Sequence, residues 1–336
     1  MRRVGSVFAV LGLAVLAVLG LAATGGPAET AGRAAFIIDT GPTGGTYFPI
    51  GQAIANIVSH PPGVFRCDTP GVCGPSGLIA SARTNPGTIA NVFDVNGHYA
   101  DAALAQSDAV AEAVAGKGAF RSKQSHIRAI ADLFPEEVHV VVATSSHIRS
   151  IAQLRGKRVS VGEASSGTIV TAHEVLAAFH LSEAQVKASH IQADAAATAL
   201  SQGKLDAFFF TGGAPVPLVT QLIASRKATL LPISGSERAR LVKANPSLSA
   251  ATIPAGAYPG LGATDTVAVR AVLIVNDQVP DDIVYGVTRA LFNPMNRDAL
   301  NASHPRARLI RPDTALAGLP APLHPGAAKY YRDAKK

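Results

Sequence analysis

The clearest chemistry in this chain lies in a glycine-rich turn, Gly41-Pro42-Thr43-Gly44-Gly45-Thr46-Tyr47-Phe48-Pro49-Ile50-Gly51. It follows the apolar run Ala34-Ala35-Phe36-Ile37-Ile38-Asp39, which reads as a strand. It then opens an apolar-periodic segment over residues 50–58, which reads as a helix. Glycine lets the backbone approach a ligand closely, and a helix start presents unpaired N–H groups at the positive end of its dipole. A carboxylate or other small anion suits such a turn, although many turns of this composition bind nothing.

The same design recurs. Gly162-Glu163-Ala164-Ser165-Ser166-Gly167-Thr168 follows the strand Arg158-Val159-Ser160-Val161 and opens a helix over residues 169–179. Gln106-Ser107-Asp108 ends an apolar strand over residues 99–106, with Asp108 expected to cap its own helix. Thr211-Gly212-Gly213-Ala214-Pro215 follows the strand Ala207-Phe208-Phe209-Phe210. Another short helix begins near Ile89, capped by Thr88 and carrying Asn91. Residues 127–133 and 138–143 read as two buried strands bounded by Pro135. Alternating strands and helices predict parallel sheets with right-handed crossovers, and ligands in such sheets sit outside the carboxyl ends of the strands. With two corners in each of two prospective lobes, a cleft between lobes is the expected site.

The 336 residues suffice for two lobes, and 48% hydrophobic with 16% charged residues indicates a globular chain. The net charge of +7 is spread thinly, without the Lys/Arg runs or interleaved aromatics of a nucleic-acid surface. Arg2 and Arg3 precede an uncharged apolar run that lasts to Ala28, so residues 1–30 read as a secretory signal peptide; an uncleaved membrane anchor is the alternative. Cys67 and Cys73 lie six apart in a Pro- and Gly-rich loop. In an exported protein they are expected to form a disulfide, with two free thiols the alternative.

Enzymatic patterns fail one by one. Thr168 stands where a P-loop requires Lys, and neither G-x-G-x-x-G after a strand nor G-x-S-x-G occurs. The ten histidines are scattered, His173 and His180 having no evident acidic partner, and no catalytic residue, metal site or cofactor is nominated.

Taken in order, these segments resemble a solute receptor of the tripartite ATP-independent periplasmic (TRAP) transporters, in the TAXI subgroup. The glycine turn matches, as do Gly87-Thr88-Ile89-Ala90-Asn91, Ala105-Gln106-Ser107-Asp108, and the run from Leu154 to Gly162 with Ser165-Ser166-Gly167-Thr168. The match continues through residues 206–215, 252–260 and 323–331. The resemblance implies a type II periplasmic-binding-protein fold, an α/β architecture of two lobes joined by a hinge with the ligand cleft between them. Lobe 1 is expected to comprise residues 34–137 and 268–336, and lobe 2 residues 138–267, with hinge crossings near 139–142 and 267–274. It further implies a monomer in the periplasm that delivers a small carboxylate, glutamate-like or 2-oxoglutarate-like, to TRAP permease subunits in the membrane. An ABC-type receptor of the sulfonate- or thiamine-like class is the alternative, followed by a secreted hydrolase.

The ligand-binding residues expected from these motifs are Gly44, Gly45, Thr46, Tyr47, Asn91, Gln106, Ser107, Ser165, Ser166, Gly167, Thr168, Thr211, Gly212 and Gly213. Arg83 is the one arginine nominated as a carboxylate clamp. The Cys67–Cys73 loop and residues 76–86 are longer than the usual pattern and are expected near the cleft rim.

Overall fold

A computed structural model of the protein describes residues 34–335, so the signal-peptide assignment to residues 1–30 lies outside the described residues. The strands are β1 (Ala34–Asp39), β2 (Leu78–Arg83), β3 (Ala102–Gln106), β4 (Ile127–Ala143), β5 (Arg158–Ser160), β6 (Lys187–Ser189), β7 (Ala207–Gly212), β8 (Ala228–Leu231), β9 (Ser249–Ile253) and β10 (Thr264–Asn276). The helices that concern the site are α1 (Tyr47–Val58), α2 (Thr88–Asn96), α3 (Ser107–Ala115), α4 (Thr168–Ala178), α5 (Ala193–Ser201) and α6 (Pro217–Ala224).

The sheet runs in the order β2-β1-β3-β10-β4-β7-β5-β6, with β8 beside β4 and β9 beside β10. It holds two parallel groups: β1 with β2 and β3, and β5 with β6 and β7. All five residues of β3 and all six of β7 are buried, as expected of parallel strands covered on both faces. Between these groups lie two long antiparallel strands, β4 and β10, paired from Ala268 opposite Glu137 to Asn276 opposite Ile127.

Pro135 does not divide β4 into two strands, as its sequence suggested. It pairs opposite Arg270, and β7 joins β4 only from Glu137 onward, so no bond to β7 is lost at the proline. The apolar core separates into two groups of clusters. Buried members of one group come from residues 36–134 and 271–331, including Ile50, Leu104, Phe134 and Leu273. Those of the other come from residues 138–269, including Val159, Leu176, Phe209 and Tyr258.

Cys67 and Cys73 form the expected disulfide, with Cα atoms 5.2 Å apart. Their loop is not at a cleft rim. It packs against the C-terminal end of α1, where Gly74 N–H donates to the Val58 carbonyl at 2.9 Å and Asn296 Nδ2 donates to the Val72 carbonyl at 2.7 Å. The twelve residues of α1 separate that end from the glycine turn by about 18 Å. Residues 78–83 form the edge strand β2, paired through β1.

Candidate functional site

The glycine turn after β1 is pinned before it reaches any ligand. Thr40 donates to the Arg83 carbonyl through both N–H (2.9 Å) and Oγ1 (2.7 Å), and Asn91 Nδ2 donates to the carbonyls of Thr40 and Leu104, each at 2.7 Å. Asn91 therefore ties the turn to β3 instead of facing a ligand. Gly45 sits so close to its neighbours that an added Cβ would lie 3.2 Å from both Phe210 Cζ and the Pro42 carbonyl oxygen.

A cavity opens where the strand ends converge. Its walls are Gly41, Pro42, Gly45, Thr46 and Tyr47 from the first turn, Pro86, Gly87 and Thr88 from the start of α2, Gln106 from β3 and Glu136 from β4. Opposite them stand Ser160, Gly162, Glu163, Ser166, Gly167 and Thr168, then Ile191, Ala193 and Ala196, and finally Phe209, Phe210, Thr211 and Gly212 from β7. About 50 Å³ is open to the centre of a water molecule, room for a few waters or one small organic group. Helices α1 to α5 all begin at this space and none has a side-chain cap on its N-cap residue, so it faces the positive ends of their dipoles, with Ala90 N–H of α2 and Ala109 N–H of α3 already bonded within the protein.

Hydrogen bonds join residues 34–137 to residues 138–267 around the cavity, among them Ala214 N–H donating to Glu137 Oε2 at 2.9 Å. Leu218 N–H donates to the Gly44 carbonyl (3.1 Å), Thr46 Oγ1 donates to the Gly213 carbonyl (3.0 Å), and Ala90 N–H donates to the Ser165 carbonyl (3.0 Å). Gly44, Ser165 and Gly213 thus lie at the seam, not on the wall. Ser107 also turns away, its Oγ accepting from Arg270 N–H at 3.2 Å. Of the fourteen expected residues, the structure gathers Gly45, Thr46, Tyr47, Gln106, Ser166, Gly167, Thr168, Thr211 and Gly212 around one space. Several hydroxyls expected to face a ligand are engaged within the protein: Ser166 Oγ donates to the Glu163 carbonyl (2.7 Å), and Thr168 Oγ1 accepts from Thr211 N–H (3.2 Å).

Arg83 is not a clamp. Its guanidinium grips both carboxylate oxygens of Asp39, at 2.7 and 2.8 Å, and reaches Asp94 at 3.1 Å, away from the cavity. The reason is register, because Asp39 lies directly beside Arg83 across β1 and β2.

Among the described residues no Lys, Arg or His lines the cavity, and its acidic residues are Glu136 and Glu163. Tyr47 OH donates to Glu136 Oε2 at 2.6 Å. Burial pushes the Glu136 carboxyl well above the usual range; the Tyr47 hydrogen bond opposes this, and the charges of Asp108 and Glu137 add to it. Burial likewise raises Asp108 to about 7. Its Oδ1 accepts from Ala109 N–H at 2.7 Å, a contact within the first turn of its own helix, while Oδ2 is buried without a partner. Thr88 is the first residue of α2, following Gly87 as N-cap, and its Oγ1 accepts from Gln106 N–H at 3.1 Å.

Glu136 and Glu163 escaped the sequence reading. A glutamate inside the apolar run of residues 127–143 is the signal that could have found Glu136, since an acid there must be paired or functional. Glu163 is the one acidic residue of the turn Gly162-Glu163-Ala164-Ser165-Ser166-Gly167-Thr168, and that is its signal in the sequence.

The class follows from the fold. MatC from Rhodopseudomonas palustris, solved with bound malate, aligns at 13% identity over 89% of this chain and 98% of its own, with a TM-score of 0.55. PhnD1 from Prochlorococcus marinus, in complex with methylphosphonate, aligns at 10% identity over 90% and 98%, with a TM-score of 0.54. A binding-protein component of an ABC phosphonate transporter from Pseudomonas aeruginosa aligns at 9% identity over 83% and 80%, with a TM-score of 0.52. The architecture is the α/β fold of the periplasmic binding proteins. The profile of the NMT1-like family matches residues 38–334, and the chain belongs to that family. The comparisons carry this fold and this family and not the TAXI subgroup suggested by the motifs.

Proposed function

We propose that this protein is an exported solute receptor that traps one small molecule by closing two lobes and presents it to a membrane permease. The observation that carries the reading is the cavity itself, formed where corners from residues 34–137 meet corners from residues 138–267. The division of the apolar core at residues 134–138 and 269–271 supports lobes of 34–137 with 268–336, and of 138–267. Ala268 pairs opposite Glu137, so both chain crossings lie side by side and suit a hinge. An ABC-type permease is the favoured recipient, because a neighbour of the same fold is a component of an ABC transporter. The ordered series of TAXI-like motifs supports an ion-gradient permease as a second reading, and the permease encoded beside the gene separates the two. The function is binding without turnover.

Thermal denaturation of the exported chain with a metabolite library tests the reading. A ligand at a hundred times its Kd stabilises by about 2.7 kcal/mol. Small-angle scattering should show the particle contracting as the ligand binds. A library in which no compound shifts the melting temperature, or a bound compound that is chemically converted, would sink the proposal.

A further inference from the structure

We infer that the cavity selects a small ligand of zero or positive net charge that presents N–H donors, an amine or an amide, and rejects dianions. This rests on the solute-receptor reading and deepens it. The first observation is charge. Among the described residues the walls hold two carboxyl groups and no cationic side chain. The nearby arginines are committed elsewhere, Arg270 to Asp132 at 2.8 Å and Arg306 to Glu137 at 2.6 Å. A doubly charged anion entering this space would lose hydration without meeting a cationic side chain on the wall. The helix N-termini offset part of that loss, but some of their first amides are already used, Ala90 N–H by the Ser165 carbonyl and Ala109 N–H by Asp108 Oδ1, and Pro49 has none, so what they offer suits a carbonyl oxygen or one anionic end.

The second observation is unmatched hydrogen-bonding capacity. Gln106 is 2% exposed, lines the cavity, and has no partner for either Nε2 or Oε1. A primary amide complements both atoms at once, giving one acceptor and one donor on the same edge. Across the space, Glu163 Oε2 is buried without a partner and can accept from an N–H of the ligand. Glu136 adds a further carboxyl group to the wall, with Tyr47 OH donating to its Oε2 at 2.6 Å. Gln106 and Glu163 are thus the specificity-determining residues, and both ask for N–H on the ligand.

The test is calorimetry and thermal shift on the exported chain, with acetamide, propionamide and propylamine set against succinate, malate and methylphosphonate. The amides and the amine should raise the melting temperature, and the three anions should not. Glu163→Gln should lower propylamine affinity at least tenfold more than acetamide affinity, and Gln106→Leu should do the reverse. Native mass spectrometry of the unsubstituted protein as purified gives a reading independent of variant folding, and a co-purified ligand should carry N–H. If the anions bind and the N–H donors do not, the ligand class is wrong and the receptor stands. Silence from every probe, with no co-purified molecule, overturns both.

Discussion

Gly167→Ala isolates closure from ligand chemistry. Gly167 precedes α4 with φ −74° and ψ −22°, a backbone any residue adopts, so alanine brings no strain of its own. What it brings is a Cβ 1.5 Å from Gln106 Oε1, 2.5 Å from Gln106 Cδ and 2.9 Å from Thr88 Oγ1, all on the opposite side of the cavity. An ordinary contact needs about 3.4 Å or more, so the Gln106 amide must retreat by about 2 Å within a buried site. Overpacking of this kind costs about 1–3 kcal/mol. If the lobes part in the free protein, the clash exists only when they close. The cost then falls on binding, a loss of about 5- to 150-fold in affinity. The assay is titration calorimetry with a ligand found by thermal shift, supported by small-angle scattering. Gly262→Ala is the control, since a Cβ there meets nothing within 4 Å. Unchanged affinity in Gly167→Ala, with scattering identical to wild type in the bound state, would refute the claim that these walls meet on closure.

Two further outcomes follow from buried polar groups. Asp108 holds its proton to about 7 in the fold, against about 3.9 in an unfolded chain, so its contribution to stability is full below about pH 4 and is lost as the pH rises through 7. Asp108→Asn should therefore gain on wild type between pH 4.5 and pH 8 by about 3 kcal/mol in urea denaturation, and equal differences at both pH values would contradict the assignment. Tyr258 OH accepts from Val216 N–H (2.9 Å) and donates to His139 Nε2 (2.7 Å), while His139 Nδ1 donates to the Glu137 carbonyl (2.8 Å). Burial lowers His139 to about 4, consistent with this neutral tautomer. Tyr258→Phe leaves both partners unmatched and should cost about 2–4 kcal/mol; a loss under about 0.5 kcal/mol would count against the network.

The corners were legible because turn chemistry is local. Gly45, Ser166, Gly167, Thr211 and Gly212 stand where small residues follow apolar strands, and the cavity is built there. What the sequence hid depends on pairing across long separations. The continuity of β4 through Pro135 requires β10, whose residues lie more than a hundred positions away. Arg83 is held by Asp39, a partner fixed by strand register, and the disulfide loop takes its place from the far end of α1 and from Asn296. Asn91 and Ser107 had the right polarity for a ligand, but backbone groups claim them first.

The position of β10 between β3 and β4 has a consequence for how the protein is made. Until residues 264–276 emerge, β3 and β4 lack the shared neighbour that joins them, and the early part of the chain has no finished sheet. Assembly must wait for a late, non-local insertion, which slows folding. A polypeptide built this way stays pliable until its last quarter has been made.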